Sequence, residues 1–133
     1  MILNSKICGH GSPLIILHGL FGSLDNWWTI AKILSSNYEV HILDQRNHGK
    51  SFHHPSHNYN DMAFDLHKYI RHHNLYQPNI LGHSMGGKTA MMYALDYPNA
   101  FNKLLVIDIA PKKYSNTHHA LVSLLMQINK KRC

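Results

Sequence analysis

The stretch GHSMGGKT, residues 82–89, restricts this 133-residue chain more than any other, because it satisfies two unrelated catalytic patterns that need different backbones. Its first five residues are G-x-S-x-G, the tight strand-to-helix turn that presents a serine nucleophile. All eight are G-x-x-x-x-G-K-T, the phosphate-cradling P-loop, in which Lys88 reaches the phosphates and Thr89 holds magnesium. In the first case Ser84 takes a strained conformation, tolerated only because Gly82 and Gly86 carry no side chains to collide, and the helix begins at about Met85. In the second a longer loop wraps the phosphate and the helix begins about three residues later.

The rest of the chain decides which backbone is built. Strands are predicted over 2–7 and 14–17, joined by the Gly-rich turn GHGSP, with Pro13 at a strand entrance. A helix capped by Ser23 or Asp25 runs to about Leu34, with Trp27, Ile30, Ala31 and Leu34 at helical spacing on one face. A strand over 38–43 and a polar loop lead to a helix over 60–73, whose face carries Met62, Leu66, Tyr69 and Ile70. A short strand over 78–81 delivers the chain to the opening motif. A helix over 85–97 follows, ended by Pro98, then an apolar strand over 104–110, broken only by Asp108 and expected to be buried on both faces, and a helix over 117–128. This alternation predicts an α/β fold with a doubly wound, mostly parallel sheet. Such sheets carry their sites beyond the carboxyl ends of the strands, where His18, Gly19, Asp44, Ser84 and Asp108 all fall.

Composition narrows the partners. The formal charge of +6 raises nucleic acid, yet Lys and Arg are scattered until Lys130, Lys131 and Arg132, and a basic footprint should be a patch or stripe. No apolar run approaches the ~20 residues of a membrane span. Cys8 and Cys133 have no metal or redox spacing. The chain reads as one cytoplasmic domain at most, with neither nucleic acid nor membrane as partner. Among thirteen histidines, His53, His54 and His57 cluster without a Cys or carboxylate at ligand spacing, so they read as solvated loop residues and not as a metal site.

Three further clusters bear on the opening motif. LLVID ends in Asp108, which in the P-loop reading supports magnesium. Against that reading, several strand and helix units precede the motif, whereas P-loops commonly open their domain. HGLFGS, residues 18–23, suits a loop whose backbone N–H approaches a substrate carbonyl, with Leu20 as one donor and Met85 as the second; a plain strand-to-helix turn with a core Phe21 accounts for it equally. DQRNHGKS, residues 44–51, reads from its residues only as a polar turn.

HGLFGSLDNW, DQRNHGKS, GHSMGGK and VIDIAP, in this order and spacing, resemble the α/β-hydrolase fold esterases, and closely the YbfF-type group of bacterial carboxylesterases. The resemblance covers nearly the whole chain, and four ordered motifs are far more specific than one pentapeptide. It implies hydrolysis of a carboxylic ester or thioester through an acyl-enzyme, without cofactor or metal. Ser84 is then the nucleophile, Leu20 and Met85 the oxyanion donors, Gly82 and Gly86 the elbow glycines, and Asp108 the acid that orients a histidine. Lys88 becomes an ordinary helix residue. Asn47 stands where the family's turn has glycine.

Proteins of this fold are about twice as long, and their histidine follows the last strand, in the chain order Ser, Asp, His. The expectation is that residues 1–133 are the N-terminal part of a single domain, with the lid region starting at about 112. None of His48, His83, His118 and His119 has the family's position for the base. The expected activity is accordingly crippled, with a non-enzymatic remnant and a P-loop nucleotide binder as alternatives. The apolar strand over 104–110 is expected to become an edge open to dimerisation or aggregation.

Overall fold

The computed structural model describes residues 1–109; Ala110, the expected lid start, the helix over 117–128, His118 and His119 lie outside the described residues. Within them the elements are β1 (Ser5–Cys8), β2 (Ser12–Leu17), α1 (Trp28–Leu34), β3 (Tyr38–Leu43), α2 (Tyr59–His72), β4 (Asn79–His83), α3 (Met85–Asp96) and β5 (Leu104–Ile107). The strands form one sheet in the order β1-β3-β2-β4-β5, parallel throughout except for antiparallel β1. It is the doubly wound α/β arrangement that the alternation predicts.

β2 shows why the run LIIL carries no polar interruption. Leu14 and Ile16 face one side, with Val40, Ile42 and Ala31, while Ile15 and Leu17 face the other, with Leu66, Tyr69 and Ile80. A central parallel strand is covered on both faces, and burying each of these side chains contributes about 1.5 to 3 kcal/mol. The predicted face of α2 is buried throughout, with Met62 3%, Leu66 0%, Tyr69 0% and Ile70 5% exposed. Asn58 caps this helix by accepting the Asp61 N–H at 2.9 Å.

β1 and β2, joined by a short Gly-rich turn, do not pair with each other; β3 lies between them. Gly9 and Gly11, at φ 81° and 116°, turn the chain across that strand. The first helix begins with a 3-10 turn, Leu24–Trp27, in which the Asn26 side chain accepts the Ser23 N–H at 2.7 Å. The spacing counted from Trp27 does not hold across that tighter turn, and Ile30 is 43% exposed instead of buried. Finally, β5 is not covered on both faces by the described residues. Leu104 joins the cluster beneath α2 and α3, but Leu105 points to the α1 side, beyond the reach of α1, and is 55% exposed.

The strand order sets the site. From β2 the chain crosses to β3 on one side and returns to β4 on the other, so the loops leaving β2 and β4 diverge. The crevice between their carboxyl ends is the switch point at which such sheets place ligands.

Candidate active site

β4 ends at His83 and α3 begins at Met85, so the turn between them is the single residue Ser84. Its φ of 52° and ψ of −113° are values that a side chain normally forbids. The neighbours allow it. A Cβ on Gly82 would stand 2.4 Å from the Gly86 carbonyl oxygen, and one on Gly86 would stand 2.4 Å from the Leu17 oxygen. Gly87, the second glycine of the P-loop pattern, lies against β5, where a Cβ would meet Val106 at 2.9 Å and, just beyond the strand, Ile109 at 2.6 Å.

The P-loop reading fails on this geometry. No loop of several residues precedes the helix, and Thr89, which would have to hold magnesium, is buried with its hydroxyl donating to Gln45 Oε1 at 2.8 Å. The Lys88 ammonium lies over the Tyr59 ring, 5.8 Å from its centroid.

Facing the elbow is the loop that leaves β2. The Gly19 carbonyl accepts from the Gly22 N–H at 3.0 Å and from His18 Nδ1 at 2.7 Å. In a trans peptide the C=O and N–H point in opposite directions, so fixing the Gly19 oxygen aims the Leu20 N–H the other way. Lys88 N–H likewise donates to the Ser84 oxygen at 3.2 Å, which sends the Met85 N–H out of the start of α3. Among the described residues neither amide is taken up by an acceptor. Gly19 permits the close approach: a Cβ there would lie 3.0 Å from His83 Nδ1 and 3.4 Å from Ser84 Cβ.

His18 is completely buried, and both its ring nitrogens are committed. Nε2 accepts the Gln45 N–H at 3.0 Å, so Nδ1 carries the proton that goes to Gly19. Burial, the largest influence, holds its pKa below the ordinary 6.5, which keeps the imidazole neutral. Gln45 closes the arrangement by donating from its side chain to the His18 oxygen at 2.7 Å.

The segment DQRNHGKS is an organised turn and more than a polar surface. Asp44, 2% exposed, accepts from the Leu24 N–H, the Lys50 N–H and the Asn4 side chain at 2.8, 2.9 and 2.8 Å. Arg46 grips the buried Asp65 of α2 with two nitrogens, at 2.6 and 3.1 Å, and reaches the Ser56 oxygen at 3.0 Å. Asn47 has φ 64°, the left-handed region that glycine favours and asparagine tolerates. Its side chain accepts the His54 N–H at 2.7 Å and meets His57 Nδ1 at 3.2 Å, so it ties the loop as well as turning it. His53, His54 and His57 stand exposed on that loop.

Asp108 follows β5 with φ 59°; its carboxylate is 83% exposed and lies 3.8 Å from His83 Nε2. Among the described residues no histidine hydrogen-bonds the Ser84 hydroxyl. A groove of about 630 Å³ opens beside the elbow, lined by residues 18–22, Asn26, Trp27 and His83. The structure thus brings Ser84, Leu20, Met85, Gly82 and Gly86 together at one sheet edge, with Asp108 beside them. Sequence reasoning placed His18 at this edge but missed its bonds to Gly19 and Gln45, and missed the Arg46–Asp65 grip. The signal for the grip was an acid, Asp65, on the core-facing stripe of α2 between Met62 and Tyr69, which requires a buried cation.

Among the described residues no helix is long and apolar enough to cross a membrane, and no group of three His, Cys, Asp or Glu side chains is set to hold a metal ion. The sn-1-specific diacylglycerol lipase ABHD11 of Danio rerio is 40% identical to the chain over 124 residues, 90% of this chain and 39% of that protein. Esterase YbfF of Escherichia coli is 39% identical over 110 residues, 83% of this chain and 43% of that protein. Among solved structures, an esterase from a marine microorganism superposes with a TM-score of 0.88 at 46% identity, covering 99% of this chain and 51% of that one. The chain therefore spans well under half the length of these curated relatives. Residues 12–131 match the profile of a hydrolase family, with esterases and lipases among the relatives: the chain belongs to the alpha/beta hydrolase fold family.

Proposed function

We propose that this chain carries the nucleophile, Ser84, and the oxyanion donors of a carboxylic ester or thioester hydrolase. The observation that carries this reading is the backbone of Ser84, a strained single-residue turn facing two amides, Leu20 and Met85, that lack acceptors among the described residues. As Ser84 Oγ attacks the ester carbon, the carbonyl oxygen becomes negative, and these two N–H groups stabilise it. Each such donor contributes about 3 to 4 kcal/mol to lowering a barrier of this kind. The hydroxyl proton needs a base, and the leaving alcohol or thiol needs it back. His18 and His48 have both ring nitrogens in hydrogen bonds to backbone groups, and His83 faces Asp108. The reading therefore assigns the nucleophile, the oxyanion donors and the orienting acid Asp108 to the described residues, and no base among them.

The test is labelling of the purified chain with a fluorophosphonate ester probe, with Ser84→Ala and Lys88→Ala as controls. Labelling lost only with the serine change is the expected result. Labelling that survives Ser84→Ala, or that is lost with Lys88→Ala, overturns the reading.

A further inference from the structure

His48 sits in the turn after β3, far in sequence from the loop that leaves β2, yet it holds that loop. Its Nε2 accepts the Phe21 N–H at 3.2 Å, and its Nδ1 lies 2.9 Å from the Arg46 carbonyl oxygen. An imidazole nitrogen that accepts from an amide carries no proton, so the proton is on Nδ1 and goes to Arg46. The anchor behind it is firm, because the Arg46 side chain is locked onto Asp65 of α2. Phe21 is itself at φ 60° and 64% exposed, so neither its backbone preference nor the burial of its ring keeps it in place.

Two consecutive peptides of the loop are thus fixed by two histidines. His18 holds the oxygen of the Gly19–Leu20 peptide, and His48 holds the N–H of the Leu20–Phe21 peptide. We propose that His48 is a positioning residue for the Leu20 oxyanion donor, and that its neutral, Nδ1-protonated form is the state in which this loop is aimed at Ser84. The proposal rests on the ester-hydrolase reading for its purpose, and on the hydrogen bonds alone for its mechanism. Protonation replaces the Nε2 lone pair with an N–H, which then faces the Phe21 N–H; the bond is lost and the loop is released. The titratable rings that face His48 are His18, from the end of β2, at 5.1 Å and His57, from its own loop, at 5.8 Å. Its own turn adds Asp44, Arg46 and Lys50, of which Arg46 is paired with Asp65 and Asp44 is filled by N–H donors. The loop it holds, GLFGS, has no titratable side chain.

Amide exchange and chemical shifts of Leu20 and Phe21 test this by NMR on the full chain, between about pH 8 and about pH 5, the window in which histidines titrate. In the unmodified chain the Phe21 protection factor should fall about tenfold in acid, the worth of one ordinary hydrogen bond, in step with the His48 ring signals. His48→Gln places an amide oxygen within reach of the Phe21 N–H, so protection persists and its acid step disappears. His48→Leu removes the acceptor, so protection is lost at every pH and fluorophosphonate labelling of Ser84 slows about tenfold relative to His48→Gln. Unchanged Phe21 protection in His48→Leu, or an acid step that survives in His48→Gln, overturns the proposal. Absence of labelling in every variant, with the Phe21 step present, counts against the ester-hydrolase reading alone.

Discussion

Replacing Ser84 separates the strain in its backbone from the chemistry of its hydroxyl. At φ 52° and ψ −113° the residue occupies a region that costs a side-chain-bearing residue about 1 to 3 kcal/mol. Glycine removes that cost but adds back about 0.5 to 1 kcal/mol of backbone entropy lost on folding. Ser84→Gly is therefore expected to stabilise the fold by up to about 2.5 kcal/mol, with about 1 kcal/mol the central value, roughly 3 to 5 °C in Tm for each kcal/mol in a chain of this size. Ser84→Ala keeps the Cβ and with it the strain, so its stability should stay within about 0.5 kcal/mol of the parent. Both variants lose probe labelling, and only one gains stability. Urea and thermal unfolding of the three proteins side by side measure the difference. If Ser84→Gly is no more stable than Ser84→Ala, the turn is not strained, and the elbow geometry loses its main physical support.

Gly86→Ala should lower the urea midpoint by the equivalent of about 3 kcal/mol, the upper range for overpacking, because the new Cβ would meet two backbone oxygens, Leu17 at 2.4 Å and His18 at 2.7 Å. A parent-like midpoint would refute this close packing of α3 on the end of β2. Arg46→Leu leaves the Asp65 carboxylate buried with Lys68 Nζ still 3.2 Å away, so its cost should lie near the low end of the range for a broken buried pair, about 3 kcal/mol. Arg46→Leu with Asp65→Leu should recover most of that loss, and strictly additive losses in the double-mutant cycle would show that the two groups are not coupled. Stability should also fall with acid. Burial, the first cause in each case, holds His18, His67 and His73 below 6.5 in the folded chain, so below that pH the unfolded chain binds more protons. Urea midpoints should be level above pH 6.5 and decline beneath it as far as the depressed folded values; a midpoint that rises on acidification would overturn the assignment.

The sequence carried the alternation of elements and the candidate nucleophile because both are written locally. LIIL in β2 and the stripe of Met62, Leu66, Tyr69 and Ile70 on α2 are periodic patterns, and each is buried as its period requires. The ambiguity of GHSMGGKT could not be removed from those eight residues. It is resolved by contacts from distant strands: Gly86 against the end of β2 and Gly87 against β5 bring the helix start to Met85. The polar framework was less legible still, because loop residues have no period. DQRNHGKS offered only a turn until Asp65, an acid on an apolar stripe, supplied the partner that Arg46 needs. The apolar strand over 104–110 was read too long, because composition does not show that the strand ends at Ile107 and turns at Asp108, φ 59°.

The two histidines in the loops explain why a site of this kind can be built with so few charges. A neutral imidazole is the side chain that donates at one fixed position and accepts at another, so it can join the N–H of one loop to the C=O of a second. His18 joins Gln45 to Gly19, and His48 joins Phe21 to Arg46. Both peptides that flank Leu20 are thereby fixed by neutral rings, so under the proposed ester-hydrolase function the Leu20 N–H would need no reorganisation to serve as a donor. A charged side chain doing the same work would compete for that oxygen or screen it. The fixed orientation depends on both rings remaining neutral. For His18 burial secures this.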